Sequence, residues 1–252
     1  MDPSSHAERR RRLLFGRRKG PKLSAHQANL RITLLPRLRL PLSPDIDPAA
    51  LFDSSVADVW LEIGFGAGEH LLWQAQNHPD VGILGVEPYE AGVAKLLSKV
   101  FSLSAQGETR NPIPNLRIHE GDARDVLETL PEACLAKVFL LFPDPWPKPR
   151  HHKRRFIQMD VLDALARAMK QDAEFRFASD DAGYVEWTLE RLLAHDSFVW
   201  MAERPQDWRR RPTDWPPTRY EQKALPGVPV FLRFRRGERR RGLLQMDRSK
   251  RR

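Results

Sequence analysis

Short apolar runs alternate along this chain with segments whose apolar residues recur at helical spacing. Runs that are mostly apolar on both faces predict buried strands at 58–65, 81–87, 116–121, 137–143 and 173–180. The segments between them that predict helices are GEHLLWQAQNH, YEAGVAKLLSKVF and RFIQMDVLDALARAMK. This alternation predicts an α/β fold in which helices cover both faces of a mostly parallel, Rossmann-like sheet.

Two further strands are predicted near the end of the chain. They are SFVWMAE at 197–203 and VPVFLRFRR at 228–236, and a polar, proline-containing stretch separates them. Because they follow each other without a helical pattern between them, we expect a C-terminal antiparallel strand pair on the parallel sheet.

The net charge of +9 is unevenly distributed. Residues 1–22, 147–155 and 233–252 together hold 23 of the 42 Lys and Arg residues and only 4 of the 33 acids. We therefore predict a flexible basic arm at 1–22, one domain at 23–236 and a flexible basic tail at 237–252. Concentrated cations favour a polyanionic partner, of which nucleic acid is the commonest. Charge alone leaves anionic lipid and simple solubilising tails open.

Cysteine usage and hydropathy limit the cellular setting. The single cysteine, Cys134, excludes an internal disulfide and is typical of a reducing compartment. No apolar stretch approaches the roughly 18–20 residues that cross a bilayer. We expect a cytoplasmic protein without a membrane partner. The scattered histidines show no metal-ligand spacing, so no metal is expected.

A glycine loop follows the first strand. Gly64, Gly66 and Gly68 end the strand and open a helix, where a backbone without side chains lets a ligand approach closely. The spacing is G-x-G-x-G rather than the G-x-G-x-x-G of pyrophosphate-binding loops, which disfavours a nicotinamide oxidoreductase. Glu62 precedes the loop, and its carboxylate would repel a pyrophosphate but accept a hydrogen bond from an ammonium group.

Acidic residues also follow the second and third strands. Glu87 comes 23 residues after Gly64, a spacing that suits the two hydroxyls of a ribose. Pro88 is expected as the first residue of the next helix. Asp122 follows the third strand, where it could hold an adenine amino group. Because ligands of open α/β sheets bind at the carboxyl ends of the strands, these residues predict a nucleoside cofactor site. Glu62 favours S-adenosylmethionine, which carries an ammonium group and no phosphate.

The fourth strand ends in FPDPWPKPRHHKRR, residues 142–155. Its prolines restrict the backbone around Asp144, which we expect to point into the same crevice next to the reactive end of the cofactor. The cations that follow would hold a phosphate backbone there, and they are Lys148, Arg150, Lys153, Arg154 and Arg155.

In these stretches the chain resembles the bacterial tRNA (guanine-N7-)-methyltransferases. The segments that carry the resemblance are EIGFGAGEHLL, GVEPYEAGVAKLL, GDARDVL, LLFPDPWPKPRHHKRRF, ASD and TRYEQKA, within a match from about 13 to 235. The resemblance implies a class I S-adenosylmethionine-dependent methyltransferase fold and methylation of a guanine at position 46, in the variable loop of tRNA. It also implies a monomer or homodimer without an obligate protein partner.

The resemblance assigns roles residue by residue. Asp144 matches the catalytic position and, with Glu62, Glu87 and Asp122, the cofactor contacts. The positions that match substrate contacts are Lys148, Asp180, Thr218, Arg219, Tyr220 and Glu221. Guanine N7 has a lone pair and no proton, so the reaction needs alignment and charge stabilisation rather than a base for N7.

Three departures from the family pattern bear on the substrate site. MKQDAEF lacks the glycine pair that often precedes the fifth strand, Asp181 replaces an aromatic residue, and Ala224 replaces a common glycine.

Two alternative functions stay open from the sequence. One is a methyltransferase for another RNA or an amine acceptor, because PDPW is similar to the Asn/Asp-Pro-Pro-aromatic loops of amino-methylating enzymes. The other is a non-catalytic tRNA-binding relative.

Overall fold

The computed structural model describes residues 14–16, 18–44, 46–52, 55–104, 112–214, 216–218, 221 and 227–237. Its centre is a seven-stranded sheet with the order β3-β2-β1-β4-β5-β7-β6. The strands are β1 Asp58–Ile63, β2 Val81–Val86, β3 Leu116–His119, β4 Leu135–Leu141, β5 Met169–Ser179, β6 Phe198–Trp200 and β7 Val230–Arg236.

Strands β1 to β5 are parallel, and β7 pairs antiparallel with both β5 and β6. The predicted parallel sheet and C-terminal antiparallel pair are therefore confirmed. All six residues of β2 are buried, as its continuous apolar run VGILGV predicts for a strand covered on both faces. The carboxyl ends of the five parallel strands lie at one edge of the sheet, and the candidate site is there.

The described helices are α1 Ala25–Thr33, α2 Leu35–Leu38, α3 Glu69–Asn77, α4 Glu90–Ser102, α5 Ala123–Thr129, α6 Met159–Ala168, α7 Ala182–Ala194 and α8 Gln206–Arg209. Two 3₁₀ segments, Ala49–Leu51 and Pro149–Arg154, add to these. The helices bury apolar side chains in two large clusters against the sheet. No helix of the described residues is long and apolar enough to cross a membrane.

The first two helices were not predicted from the sequence. Ser24 caps α1, since its hydroxyl accepts from the Gln27 amide while the Gln27 side chain accepts from the Ser24 amide. The amide of Leu40 then donates to the carbonyl of Ile118 at 2.8 Å, which ties the segment after α2 to β3. The N-terminal helices are thus attached to the edge of the sheet farthest from β6.

The helix predicted over residues 155–170 is shorter at both ends. It begins at Met159, because the backbone of its N-cap residue Gln158 is extended, with φ −128° and ψ 161°. The amides of Phe156 and Ile157 before it donate to the Tyr184 hydroxyl at 2.9 and 3.4 Å. It ends at Ala168, because Met169 pairs with Leu135 and already belongs to β5.

Other predicted ends differ by a few residues. The second strand ends at Val86, and α4 begins at Glu90 rather than Pro88. The prediction for Pro88 was wrong because Tyr89 is the N-cap residue. The missing glycine pair before the fifth strand is accommodated by Asp172, whose φ is +64° at a bulge. Aspartate tolerates this left-handed region better than most residues.

Candidate nucleoside-binding and nucleic-acid site

A crevice of about 400 Å³ opens at the carboxyl ends of β1 to β4. Its walls come from the loops that follow these strands, from the start of α6 and from the N-terminal segment at 14–16. The residues of the predicted cofactor site that line it are Gly64, Gly66, Glu87, Asp122 and Asp144. The structure therefore brings together residues from four strand ends that are up to 80 positions apart.

The glycine loop has the conformation that its sequence predicts. Gly64, Gly66 and Gly68 all have positive φ, at +75°, +57° and +74°. A Cβ on Gly68, the N-cap residue of α3, would lie 2.6 Å from the Leu96 side chain. The position therefore requires glycine both for its positive φ and for its lack of a side chain. Gly92 adds a second close approach, because a Cβ there would lie 2.5 Å from the Gly66 carbonyl oxygen.

Glu87 holds this loop in place. Its two carboxylate oxygens accept hydrogen bonds from the backbone amides of Gly66 at 2.7 Å and Tyr89 at 2.9 Å. The side chain is buried, and burial raises its pKa above the ordinary 4.5, while the two amides oppose that rise. The negative charges of Asp144 and Glu62 raise the pKa of Glu87 further. These carboxylates therefore share one electronegative region.

Asp122 is already paired. Its carboxylate accepts from the Arg124 backbone amide at 3.0 Å as the N-cap of α5 and forms an ion pair with the Arg124 guanidinium. The hydrogen bond to Asp122 raises the pKa of Arg124. Arg124 also lines the crevice, and the sequence analysis did not identify it.

Glu62 does not lie on the wall of the crevice. Its carboxylate is only 4% exposed, and its Oε2 atom lies 2.7 Å from Nδ1 of His70 on α3. The adjacent residues Ile63 and Gly64 do line the crevice. His70 was not predicted from the sequence, although its place as the second residue of the helix after the glycine loop is a usable signal.

The loop after β4 is strained and braced. Phe142 and Trp146 have φ of +49° and +45°, although each precedes a proline, and such conformations cost about 1–3 kcal/mol each. The Phe142 amide donates to the Ala178 carbonyl of β5 at 2.7 Å. Asp144 lies between Phe142 and Trp146, with its side chain exposed to the crevice.

Two neighbouring arginines of the basic segment, Arg154 and Arg155, contact this loop. Arg155 is 3% exposed and donates to the carbonyl oxygens of Pro145 and Gly183, both at 2.9 Å. The Arg154 guanidinium lies 5.0 Å from the ring of Trp146 and 5.2 Å from that of Phe15. The two hydrogen bonds of Arg155 therefore stabilise the loop that carries Asp144.

Replacing Arg155 with lysine is expected to lower the free energy of unfolding by about 2 kcal/mol, because one ammonium group cannot reach both carbonyl oxygens. Urea denaturation measures the change. Arg150→Lys, at an exposed position in the same segment, is the matched control and should stay within about 0.5 kcal/mol of the unchanged protein. Equal stability of the two variants would contradict the bracing role of Arg155.

The other predicted cations lie in the same basic segment, and two of them line the crevice. Lys148, Arg150 and Lys153 are exposed, and Lys153 and Arg154 line the crevice directly. Leu14, Phe15 and Gly16 also line the crevice, and a Cβ on Gly16 would lie 3.5 Å from the Asp144 carboxylate. These three residues belong to the arm that was predicted to be flexible, and this contact was not predicted from the sequence.

The remaining predicted substrate residues lie beyond the crevice wall. Asp180 follows β5, where Gly227 packs against its carbonyl oxygen, and it lines a second, separate concavity. Thr218 and Glu221 bond reciprocally, because the Thr218 amide donates to Glu221 at 2.8 Å and the Glu221 amide donates to the Thr218 hydroxyl at 3.3 Å. This pattern is a capping box. Arg219 and Tyr220 lie outside the described residues.

One of the departures in the predicted substrate site has a structural explanation. Asp181 is the N-cap of α7, and its carboxylate accepts from the Tyr184 amide at 2.7 Å. An aspartate is among the best residues for this position. Ala224 lies outside the described residues.

The fold is similar to that of solved methyltransferases. An antibiotic-related methyltransferase aligns over 82% of this chain and 99% of its own, with a TM-score of 0.51 and 16% identity. A 16S rRNA (adenine(1408)-N(1))-methyltransferase from Catenulisporales acidiphilia aligns over 81% and 98%, with a TM-score of 0.50 and 19% identity. At these identities the likeness shows the Rossmann-like methyltransferase fold alone.

Sequence comparison is more specific. The family model described as "Putative methyltransferase" matches residues 56–227. The tRNA (guanine-N(7)-)-methyltransferase of Rhodospirillum rubrum is 48% identical over 89% of this chain and 88% of its own length. That of Chelativorans sp. is 45% identical over 91% and 97%. The chain belongs to the tRNA (guanine-N(7)-)-methyltransferase family.

Proposed function

We propose that this protein transfers a methyl group from S-adenosylmethionine to N7 of a guanine in tRNA. Family membership supports the reaction, and the convergence of Glu87, Asp122 and Asp144 in one crevice beside the basic segment at 148–155 is the observation that carries it. Within this reaction, we propose position 46 of the variable loop as the target.

The residues present fit S-adenosylmethionine. Glu87 keeps lone pairs for ribose hydroxyls while it accepts the two loop amides. Asp122 with Arg124 offers both an acceptor and a donor for an adenine edge. Glu62 does not line the crevice, but its negative charge acts on Glu87 at the crevice wall and would favour the amino-acid ammonium. When bound, the sulfonium of S-adenosylmethionine supplies an electrophilic methyl group, and the carboxylates favour its positive charge.

The acceptor determines what the protein must do. Because N7 of guanine carries a lone pair in the plane of the ring and no proton, no side chain has to deprotonate it. The crevice must instead align the base and exclude water. The purine ring becomes cationic on methylation, so a fixed carboxylate beside it lowers the barrier. Asp144 is held for this role by the strained loop and by Arg155.

We assign the guanine's N1 and N2 donors to Asp144 and to carboxylates that lie beyond the crevice wall. Asp144 lies on the crevice, Asp180 follows the neighbouring strand, and Glu221 is oriented by Thr218 and Arg211. With these donors held, N7 faces the methyl group. Lys148, Arg150, Lys153 and Arg154 are the proposed phosphate contacts, whereas Arg155 acts through the loop.

The test is methyl transfer to an unmodified tRNA transcript and to a second transcript in which guanine 46 is changed to adenine, with products analysed as nucleosides. We expect N7-methylguanosine from the first transcript alone. Methylation of both would overturn the assigned position, and a methylated exocyclic amine would overturn the reaction.

Residues 1–13 carry four arginines, and Leu14, Phe15 and Gly16 contact the crevice. Removing residues 1–13 is expected to reduce the slope of log affinity for tRNA against log salt by up to about three, with cofactor affinity unchanged. Removing residues 1–22 should weaken cofactor binding as well. Filter binding over a salt series and calorimetry measure the two effects. Equal cofactor affinity in both truncations would contradict a role for residues 14–16.

We further propose that the enzyme acts in the cytoplasm, where tRNA is its partner, as a monomer or homodimer that needs no other protein subunit. Analytical ultracentrifugation of the purified chain, with and without tRNA, measures the assembly. A requirement for a second protein in the transcript assay would contradict this part of the proposal.

A further inference from the structure

A series of buried polar side chains leads from Glu62 toward the substrate segment. Glu62 Oε2 lies 2.7 Å from His70 Nδ1, and His70 Nε2 lies 3.0 Å from Nε2 of Gln74. The same Gln74 nitrogen lies 3.4 Å from the carbonyl oxygen of Asp214. Glu62, His70 and Gln74 are 4%, 3% and 2% exposed, so water does not replace these contacts.

The hydrogen-bond network fixes the direction of each bond. An amide nitrogen only donates, so His70 Nε2 accepts from Gln74, and Nδ1 carries the proton that is donated to Glu62. The opposite amide orientation would place the Gln74 oxygen against the Asp214 carbonyl oxygen. In the assigned orientation Gln74 Oε1 has no partner among the described residues. With Gln74 in this orientation, Nε2 of His70 accepts from Gln74 and Nδ1 donates to Glu62.

Asp214 is held from a second direction. Its two carboxylate oxygens accept from the Arg176 guanidinium at 2.8 and 2.7 Å, and Arg176 is 3% exposed on β5. Asp214 lies four residues before Thr218, which begins the predicted substrate motif. The backbone that leads into this motif is thus attached to the sheet through Arg176 and to α3 through Gln74.

Building on the proposed function, we propose that His70 and Gln74 are positioning residues that join the cofactor site to the substrate segment. His70 holds the Glu62 carboxylate behind Ile63 and Gly64, which line the crevice, so that its negative charge is fixed beside the amino-acid end of the cofactor site. Gln74 fixes the ring of His70 and the Asp214 carbonyl together, so that the same network places the segment leading to Thr218.

Three variants separate these tasks. His70→Phe keeps a ring against Phe139, whose centroid lies 4.8 Å away, but removes the donor to Glu62. It should raise the Kd for S-adenosylmethionine about tenfold. In His70→Asn the amide nitrogen takes the place of Nδ1, so the Kd should stay within about threefold of the unchanged protein. Gln74→Leu should leave that Kd within about threefold but raise the KM for tRNA about fivefold at a similar kcat.

The measurements are calorimetric cofactor binding, steady-state methyl transfer and the ¹⁵N chemical shifts of the histidine ring in the cofactor-free protein. His70→Asn identifies the His70 signals, which should show the proton on Nδ1. Equal cofactor affinities of the Asn and Phe variants, a proton on Nε2, or an unchanged KM for tRNA in Gln74→Leu would overturn the proposal. If one variant does not fold, the ring shifts and the other variants still decide. Formation of N7-methylguanosine by the unchanged protein tests the proposed function independently.

Discussion

Replacing Asp144 with asparagine is expected to lower the single-turnover rate of methyl transfer to bound tRNA by about 100-fold or more. The substitution keeps the shape of the side chain and removes the charge that stabilises the developing cationic purine. Because the loop is fixed by its prolines, by the Phe142 amide and by Arg155, the asparagine should occupy the same place. Rapid-quench measurements at saturating tRNA and S-adenosylmethionine separate this effect from any change in affinity.

The matched control is Asp163→Asn, which removes a carboxylate that is 75% exposed on α6 and bonded to His195. Its single-turnover rate should stay within about twofold of the unchanged enzyme. A normal rate in the Asp144 variant would contradict the proposed role of that charge. A rate that falls equally in both variants would point to overall electrostatics instead.

Replacing Glu87 with glutamine is expected to weaken S-adenosylmethionine binding about 100-fold. One amide oxygen cannot accept from both the Gly66 and the Tyr89 amides, so the glycine loop loses one of its bonds, and the ribose hydroxyls lose a charged acceptor. Calorimetry measures the Kd, with Glu132→Gln at an exposed turn as the control. An unchanged Kd in the Glu87 variant would contradict the assignment of this residue to the cofactor.

The raised pKa of Glu87 also predicts a pH dependence. Hydroxyl donors favour the ionised carboxylate, so cofactor affinity should be highest above the raised pKa of Glu87 and should fall as pH is lowered through it. In the cofactor-free protein, Glu87 makes the free energy of unfolding depend on pH in the opposite direction. Its contribution to folding is fully present below the ordinary 4.5 and is lost as pH rises through the raised pKa. Measurement of the Kd over a descending pH series should show this fall, and Glu87→Gln should lack it.

The strand ends of the site could be predicted from the sequence because each one is marked locally. An apolar run stops at Glu87, at Asp122 and at Asp144, and parallel strands place these ends on the same edge of the sheet. The glycine loop could be predicted for the same reason, since Gly64 and Gly68 need positive φ at the turn into a helix. The parallel sheet could be predicted from the alternation of strands and helices, whereas the order of its strands was not predicted.

The contacts between side chains could not be predicted in this way. His70 and Gln74 look like ordinary positions on an amphipathic helix, and only the packing of α3 against the sheet brings His70 to Glu62. Arg154 and Arg155 are neighbours in one basic run, yet Arg155 is buried and bonded to the loop while Arg154 lies between two aromatic rings. Phe15 contacts Arg154, which lies more than 120 positions later in the sequence, and no local pattern indicates such a contact.

The most direct test of the proposed chemistry uses a tRNA in which guanine 46 is replaced by 7-deazaguanine, alongside the same tRNA with guanine. The replacement exchanges the N7 lone pair for a C–H group and keeps the Watson–Crick edge that Asp144 and its neighbours are proposed to hold. We predict equal binding of the two tRNAs, methyl transfer to the guanine tRNA and none to the deazaguanine tRNA. Methyl transfer to both would contradict N7 of guanine 46 as the acceptor and would move the reaction to another atom or another nucleotide.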